Sequence, residues 1–95
     1  MQIRVALTGP PRVVLGRPSV DLVVPGSSCT LEEMLIRLAD AEPRLARYLR
    51  DAEGRPPAFL RPVLNERALE PGAAIPDGAV VTLVYALAGG SGGTS

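Results

Sequence analysis

The sequence predicts an α+β protein, with one mixed β-sheet and a main helix packed on one of its faces. Residues 2–8 and 19–24 alternate between apolar and polar side chains, which is typical of strands that bury one face. A helix start signal follows these two strands at Thr30. Residues 80–85 form the most continuously apolar run, which favours a central position in the sheet beside the first strand.

The main helix is expected over residues 30–38. Thr30 and Glu33 match a capping box, in which the Thr30 hydroxyl accepts a hydrogen bond from the Glu33 amide and the Glu33 carboxylate accepts one from the Thr30 amide. The apolar residues at helical spacing, which predict the buried face, are Leu31, Met34, Leu35 and Leu38. Pro43 then ends this helix or starts a separate turn.

The connections between these elements are less regular. Residues 9–18 are expected to form a hairpin with an irregular or flared loop. The apolar residues of a second short helical segment, expected to cover the core, are Leu45, Tyr48 and Leu49. A third strand is expected over residues 59–65, where Pro62 marks an edge or a bulge because proline cannot donate a ladder hydrogen bond.

The composition narrows the possible functions. The chain has 95 residues, which is enough for one domain but leaves no room for a deep cofactor cavity. Its net charge of 0 argues against nucleic acid or an anionic membrane as a partner. With no histidine and one cysteine, we expect no self-contained hydrolase, no bound metal and no internal disulfide. The chain has no membrane-length apolar run and no signal-peptide pattern, so we expect a cytoplasmic protein.

The end of the chain is its most informative segment. We expect a folded domain over residues 1–87 and a flexible glycine-rich tail over residues 88–95. Because glycine carries no Cβ, such a tail can enter a narrow active site that excludes larger residues. A disordered terminus without a function is the alternative interpretation of the same residues.

Three stretches of the chain carry a family resemblance. They are the helix start at residues 30–33, the strand and turn at residues 63–66, and residues 77–90, in which an Asp-Gly turn leads an apolar strand, a short linker and a diglycine. In these stretches the chain resembles the ubiquitin-like β-grasp sulfur carriers, among them the small subunit of molybdopterin synthase and the carriers of the thiamine and cysteine pathways. The resemblance covers residues 1–90 and implies a β-grasp fold.

The resemblance also implies that Gly90 is the reacting end of the chain. A partner activating enzyme would use ATP to convert the Gly90 carboxylate into an acyl-adenylate, and a sulfide equivalent would displace AMP to leave a thiocarboxylate. A sulfur-accepting synthase would then take the sulfur. Leu87, Ala88 and Gly89 would occupy the channel of the partner, since residues 87–90 reach about 13–14 Å when extended. The carrier itself would bind no cofactor.

Contacts between the folded domain and a partner are expected at two places. Arg4 and Arg61 should lie on the sheet face opposite the helix, although simple solvation is the alternative for both. Leu83 and Tyr85 in the last strand are the other candidates, and we expect them to be divided between the core, where Leu83 would pack against the buried helix face, and the partner surface. Cys29, just before the helix, is expected to be a small buried residue rather than a reactive thiol.

The residues after Gly90 leave two questions open. Residues 91–95 are either a native precursor extension, which a metalloprotease would trim, or an engineered flexible linker. A second glycine pair ends at Gly93 and is the competing reactive end. Gly90 is preferred because Gly93 lies three residues further from the last strand than the family spacing allows.

Two other functions fit the same fold. A ubiquitin-like modifier would use the same activated intermediate and transfer it to lysines of other proteins. Since this chain has no lysine, it could not form polymers of itself through side chains. A β-grasp interaction subunit would have no tail chemistry at all.

Overall fold

The structure, a computed structural model, describes residues 1–85. The expected domain boundary after residue 87 and the expected tail residues Leu87, Ala88, Gly89 and Gly90 lie outside the described residues. Along the chain the elements are β1 (Gln2–Leu7), α1 (Pro10–Leu15), β2 (Ser19–Val23), β3 (Cys29–Thr30), α2 (Leu31–Ala41), a 3₁₀ turn (Pro43–Leu45), α3 (Ala46–Leu49), β4 (Leu60–Leu64), β5 (Arg67–Ala68), β6 (Ala74–Ile75) and β7 (Val80–Tyr85).

Five strands form one mixed sheet in the order β2-β1-β7-β4-β5. β1 pairs with β2 in antiparallel register and with β7 in parallel register, so that Val5 lies beside both Val20 and Val81. β7 also pairs antiparallel with β4. The expected central position of the last strand is therefore confirmed. β3 and β6 form a separate two-stranded sheet.

α2 begins at the predicted capping box. The Glu33 amide donates to the Thr30 hydroxyl over 3.2 Å, and the Thr30 amide donates to the Glu33 carboxylate over 3.0 Å. The hydrogen bonds from Thr30, the backbone one first, lower the pKa of the Glu33 carboxyl. The helix ends at Ala41, three residues beyond the expected end.

The core lies between α2 and one face of the sheet. All four predicted helix positions are buried, and they join the inward side chains of β1, β2 and β7 in one cluster. Leu45 and Leu49, from the 3₁₀ turn and α3, are also fully buried, as predicted for the second helical segment. Cys29 is buried as expected; burial raises the pKa of its thiol, which donates to the Thr30 carbonyl.

The connection between β1 and β2 is a helix, so the expectation of an irregular loop there was wrong. Pro10 and Pro11 occupy the first turn of α1, where a missing amide proton costs nothing, and Gly16 ends the helix with a φ of 74°. Pro11 and Leu15 are buried and attach the helix to the domain. The proline start and glycine end are helix boundary signals that the sequence already contained.

Pro62 was expected at an edge or a bulge, but β4 has β7 on one side and the two-residue strand β5 on the other, so the edge position was wrong. Pro62 lies just before the residues of β4 that pair with β5. Its carbonyl accepts a hydrogen bond from the Leu69 amide over 2.9 Å, on the side away from β7. The nitrogen and the carbonyl of one strand residue point the same way, so the proline nitrogen also faces outward. The pairing of β4 with β7 therefore loses no hydrogen bond to proline.

Candidate functional site at the end of the last strand

β7 ends at Tyr85, so the contacts of this residue fix the point where the chain leaves the described domain. Tyr85 lies opposite Leu60 of β4, and its side chain is half-buried on the helix side of the sheet. Its hydroxyl donates a hydrogen bond to the backbone carbonyl of Tyr48 in α3. Burial, with a smaller contribution from Tyr48, raises the pKa of the Tyr85 phenol, so its hydroxyl stays a neutral donor.

All the aromatic residues of the chain meet at this point. The sequence contains two tyrosines, one phenylalanine and no tryptophan. The Tyr48 ring stands edge-on to Tyr85 with centroids 6.3 Å apart, and the Phe59 ring lies 5.5 Å from Tyr85 at a tilt of 36°. Such pairs contribute about 0.5–1.5 kcal/mol beyond the area they bury. The end of β7 is therefore held by side chains as well as by the sheet.

β1 adds a further contact to the same region. The Thr8 hydroxyl donates to the Leu83 carbonyl over 2.7 Å, just beyond the last paired residue of β1. The next residue, Gly9, adopts a φ of 65°, and a Cβ there would lie 3.7 Å from the Tyr85 Cβ. We call the group formed by Thr8, Tyr48, Phe59 and Tyr85 the tail root.

The sheet face opposite α2 carries both predicted arginines. Arg4 is the parallel neighbour of Val80, and Arg61 lies opposite Val84. Between them Thr82 is half-buried, while Val80 and Val84 are exposed. We call these five residues the open face. A stretch of β7 about 13 Å long, from Val80 to Val84, thus has an arginine on a neighbouring strand beside each of its ends.

The two arginines differ in their contacts. Arg4 Nε donates to Asp21 Oδ1 over 2.9 Å, and this hydrogen bond raises the pKa of Arg4 and lowers that of Asp21. The Arg61 guanidinium donates to the Ala58 carbonyl over 2.7 Å and pairs with no carboxylate among residues 1–85. Arg61 therefore keeps its charge available on the surface, whereas Arg4 shares its charge with Asp21.

Leu83 was expected either in the core or among the partner contacts. Its side chain is 0% exposed and belongs to the core, so the core position is confirmed and the partner contact was wrong. Leu83 and Val81 are two residues apart in β7, so their side chains lie on the same face of the sheet and point toward α2. The exposed residues of this strand are the alternate ones, Val80 and Val84, which sequence reasoning did not select.

Within residues 1–85, no cluster of three or more His, Cys, Asp or Glu side chains could hold a metal ion. None of the helices in that range is both long enough and apolar enough to cross a membrane.

The sequence matches no family model and no curated protein. Solved structures do match. SAMP1 from Haloferax volcanii superposes with a TM-score of 0.84 at 22% identity, over 94% of this chain and 99% of that one. The fold is the ubiquitin-like β-grasp. The sequence patterns predicted one mixed sheet with a main helix on one face, and the family resemblance implied a β-grasp; both predictions are confirmed.

Two other β-grasp structures show the range of proteins with this fold. The molybdopterin converting factor subunit 1 from Pyrococcus furiosus, described as putative, matches with a TM-score of 0.70 at 12% identity, over 92% of this chain and 99% of that one. A chain of the BexX/CysO complex from Amycolatopsis orientalis matches with a TM-score of 0.71 at 21% identity, over 92% of this chain and 98% of that one.

Proposed function

We propose that the protein is a sulfur carrier whose C-terminal glycine is adenylated and then converted to a thiocarboxylate. The observation that carries the proposal is the tail root, which anchors Tyr85, the last described residue, three residues before the glycine-rich segment begins at residue 88. The β-grasp neighbours are small carrier and modifier proteins rather than enzymes. A partner enzyme would therefore supply the catalysis.

Gly90 lies five residues after Tyr85, and an extended chain of five residues spans at most about 18 Å. A short tether of this kind lets the end of the chain enter a partner while the domain stays outside. Because Tyr85 is fixed to α3 and β4, the starting point of that tether varies little. A fixed start raises the effective concentration of the reacting group inside the site of the partner.

The reaction follows from the chemistry of a carboxylate. The Gly90 carboxylate attacks the α-phosphorus of ATP, and pyrophosphate leaves as the acyl-adenylate forms. A sulfide equivalent then attacks the acyl carbon, and the bond to AMP breaks with its electron pair. The product is a thiocarboxylate, which donates sulfur to an acceptor held by a synthase. ATP belongs to the activating enzyme, and the carrier supplies only the carboxylate and a surface.

Mass measurement on the protein purified from its own cells tests the proposal. We expect a fraction of chains to end at Gly90 and to carry the mass increase of one oxygen replaced by sulfur. Alkylation with iodoacetamide should add one group to that fraction, since a thiocarboxylate is nucleophilic and Cys29 is buried.

Other outcomes of the mass measurement favour the other functions. Covalent attachment of the chain to lysines of other proteins would show a modifier, which agrees with the name of the small archaeal modifier protein 1 from H. volcanii. A chain that always retains Ser95 and carries no modification would support an interaction subunit. Trimming of residues 91–95 would also show that they are a native extension, for which we propose a metalloprotease.

We further propose that the open face is the docking surface for the activating enzyme. Val84→Asp should weaken binding of that enzyme about tenfold or more, since a carboxylate would be buried against the partner beside β7. Titration calorimetry with the activating enzyme measures the change.

Val23→Asp is the matched control for Val84→Asp. Val23 is 79% exposed at the edge strand β2, with β1 between it and β7. Its replacement introduces the same charge into a strand and should leave the affinity within about twofold. Equal losses from the two variants, at unchanged melting temperatures, would contradict the docking assignment.

A further inference from the structure

A second surface lies beside the tail root, on the other side from the open face. A groove of about 500 Å³ runs between α1 and the segment formed by the 3₁₀ turn and α3. The residues that line it are Val14, Pro43, Arg44, Ala46, Arg47 and Tyr48. The lining is apolar apart from the two guanidinium groups and the Tyr48 side chain. We call it the α1–α3 groove.

The charge of this groove is not balanced by the described part of the chain. Arg44 and Arg47 are exposed, and neither forms an ion pair with a carboxylate of residues 1–85. The nearest acidic residue in sequence, Glu42, is bonded to Arg17 over 2.7 Å. Arg47 instead lies 5.6 Å from the centroid of the Tyr48 ring, a position typical of a cation–π contact.

Apolar side chains are exposed at the edge of the same groove. Val14 lines it, and the preceding residue, Val13, is 81% exposed, the highest exposure of any large apolar residue described. α1 is attached to the domain by Pro11 and Leu15, so these two valines are not needed for that attachment. The groove thus presents apolar surface next to uncompensated positive charge.

We propose that the α1–α3 groove binds an acidic segment of a protein partner, with an apolar side chain seated against Val14 and carboxylates paired with Arg44 and Arg47. Charge complementarity selects this occupant. A planar guanidinium pairs with a carboxylate through two hydrogen bonds, and the apolar lining favours a segment that also carries hydrophobic residues. A net charge of 0 gives no long-range attraction to a polyanion such as nucleic acid.

The position of the groove connects it with the tail. Tyr48 lines the groove, and its carbonyl accepts the hydrogen bond from Tyr85. A partner that binds the tail therefore lies close to the groove. An acidic segment of that partner would bind the domain on the side opposite the open face. Binding here needs no acyl transfer, so this inference goes beyond the proposed function and is tested separately from it.

Amide chemical shifts of the full chain measure this binding. The probe is a short synthetic peptide rich in Glu and Asp with leucines among them. Its control is the same peptide with Gln and Asn in place of the acids. With the acidic peptide, the largest shifts should fall on the groove residues and decrease as salt is added, because ions screen the charges. The neutral peptide should bind at least about tenfold more weakly, so that the same amides shift only at higher peptide concentrations.

Charge reversal identifies the residues responsible. Arg44→Glu combined with Arg47→Glu should abolish the shifts. Arg37→Glu combined with Arg67→Glu changes the net charge by the same amount at exposed positions outside the groove, and it should leave most of the shifts in place. Melting temperatures of both double variants verify that each remains folded.

Three outcomes would overturn the proposal. The first is an absence of shifts at the groove in the presence of the acidic peptide. The second is an equal loss of shifts in the two double variants, which would show a nonspecific charge effect. The third is binding to vesicles that contain phosphatidylglycerol, through the same residues, without binding to the peptide. That result would assign the groove to an anionic membrane surface.

Discussion

A chain that ends at Gly90 should be adenylated by its activating enzyme, whereas the chain that ends at Ser95 should not react. The reason is that only a terminal residue carries a free carboxylate, and Ser95 places a side chain and extra length where the glycine must enter. Release of pyrophosphate from ATP measures the reaction. Chains that end at Gly90, Gly93 and Ser95 are compared with the same enzyme. The highest activity from either of the two longer chains would refute Gly90 as the reacting end.

A substitution at the same residue sharpens this test. Gly90→Ala, in the chain that ends at Gly90, should lose most of the activity, because the methyl group crowds the channel and restricts the backbone. Gly72→Ala is the control, since a Cβ at Gly72 would meet no atom within 4 Å. Its rate should match that of the parent chain. If none of the chains is adenylated although the correct activating enzyme is present, the interaction-subunit function gains support.

Leu35→Ala should lower the free energy of unfolding by about 2–5 kcal/mol, the range measured when a buried leucine is truncated. Leu35 is 2% exposed and lies within the main core cluster. The substitution removes apolar contacts and leaves a cavity that the neighbouring sheet and helix fill only in part. Urea unfolding followed by circular dichroism measures the change.

The next residue of the same helix provides the control. Ile36 is 41% exposed, so Ile36→Ala removes a side chain of the same size from the helix surface. Its cost should be less than about 1 kcal/mol, partly because alanine favours the helix. An equal effect of the two substitutions would mean that the core does not depend on the buried face of α2.

The elements that could be predicted from the sequence are those marked by neighbouring residues, such as a helix cap or a strand alternation. The capping box placed the start of α2, and the alternation of β1 and β2 identified which side chains are inward. α1 was missed although Pro10 and Gly16 marked its two ends, because the glycine and proline residues were interpreted as loop signals. The short strands β3, β5 and β6 have two residues each, too few to show a period.

The candidate site was harder to predict because its contacts are long-range. Tyr85 bonds to a backbone carbonyl 37 residues earlier, and an acceptor of that kind leaves no pattern in the sequence. For Leu83 the sequence left the core and the partner surface as alternatives, and the alternation of residues 80–85 already favours the core, since it puts Leu83 on the buried side with Val81. The roles of Leu87, Ala88, Gly89 and Gly90 remain proposals.

The parallel pairing of β1 with β7 determines how the domain responds to mechanical load. Because the strands are parallel, β1 starts at one end of the sheet and the chain leaves β7 at the other. A pull between Met1 and Tyr85 therefore acts along the strands and loads the whole row of hydrogen bonds between them at once. Bonds that share a load in shear resist far more force than bonds that open one after another. An enzyme that unfolds proteins by pulling on the chain after Tyr85 would meet this resistance before the domain unfolded.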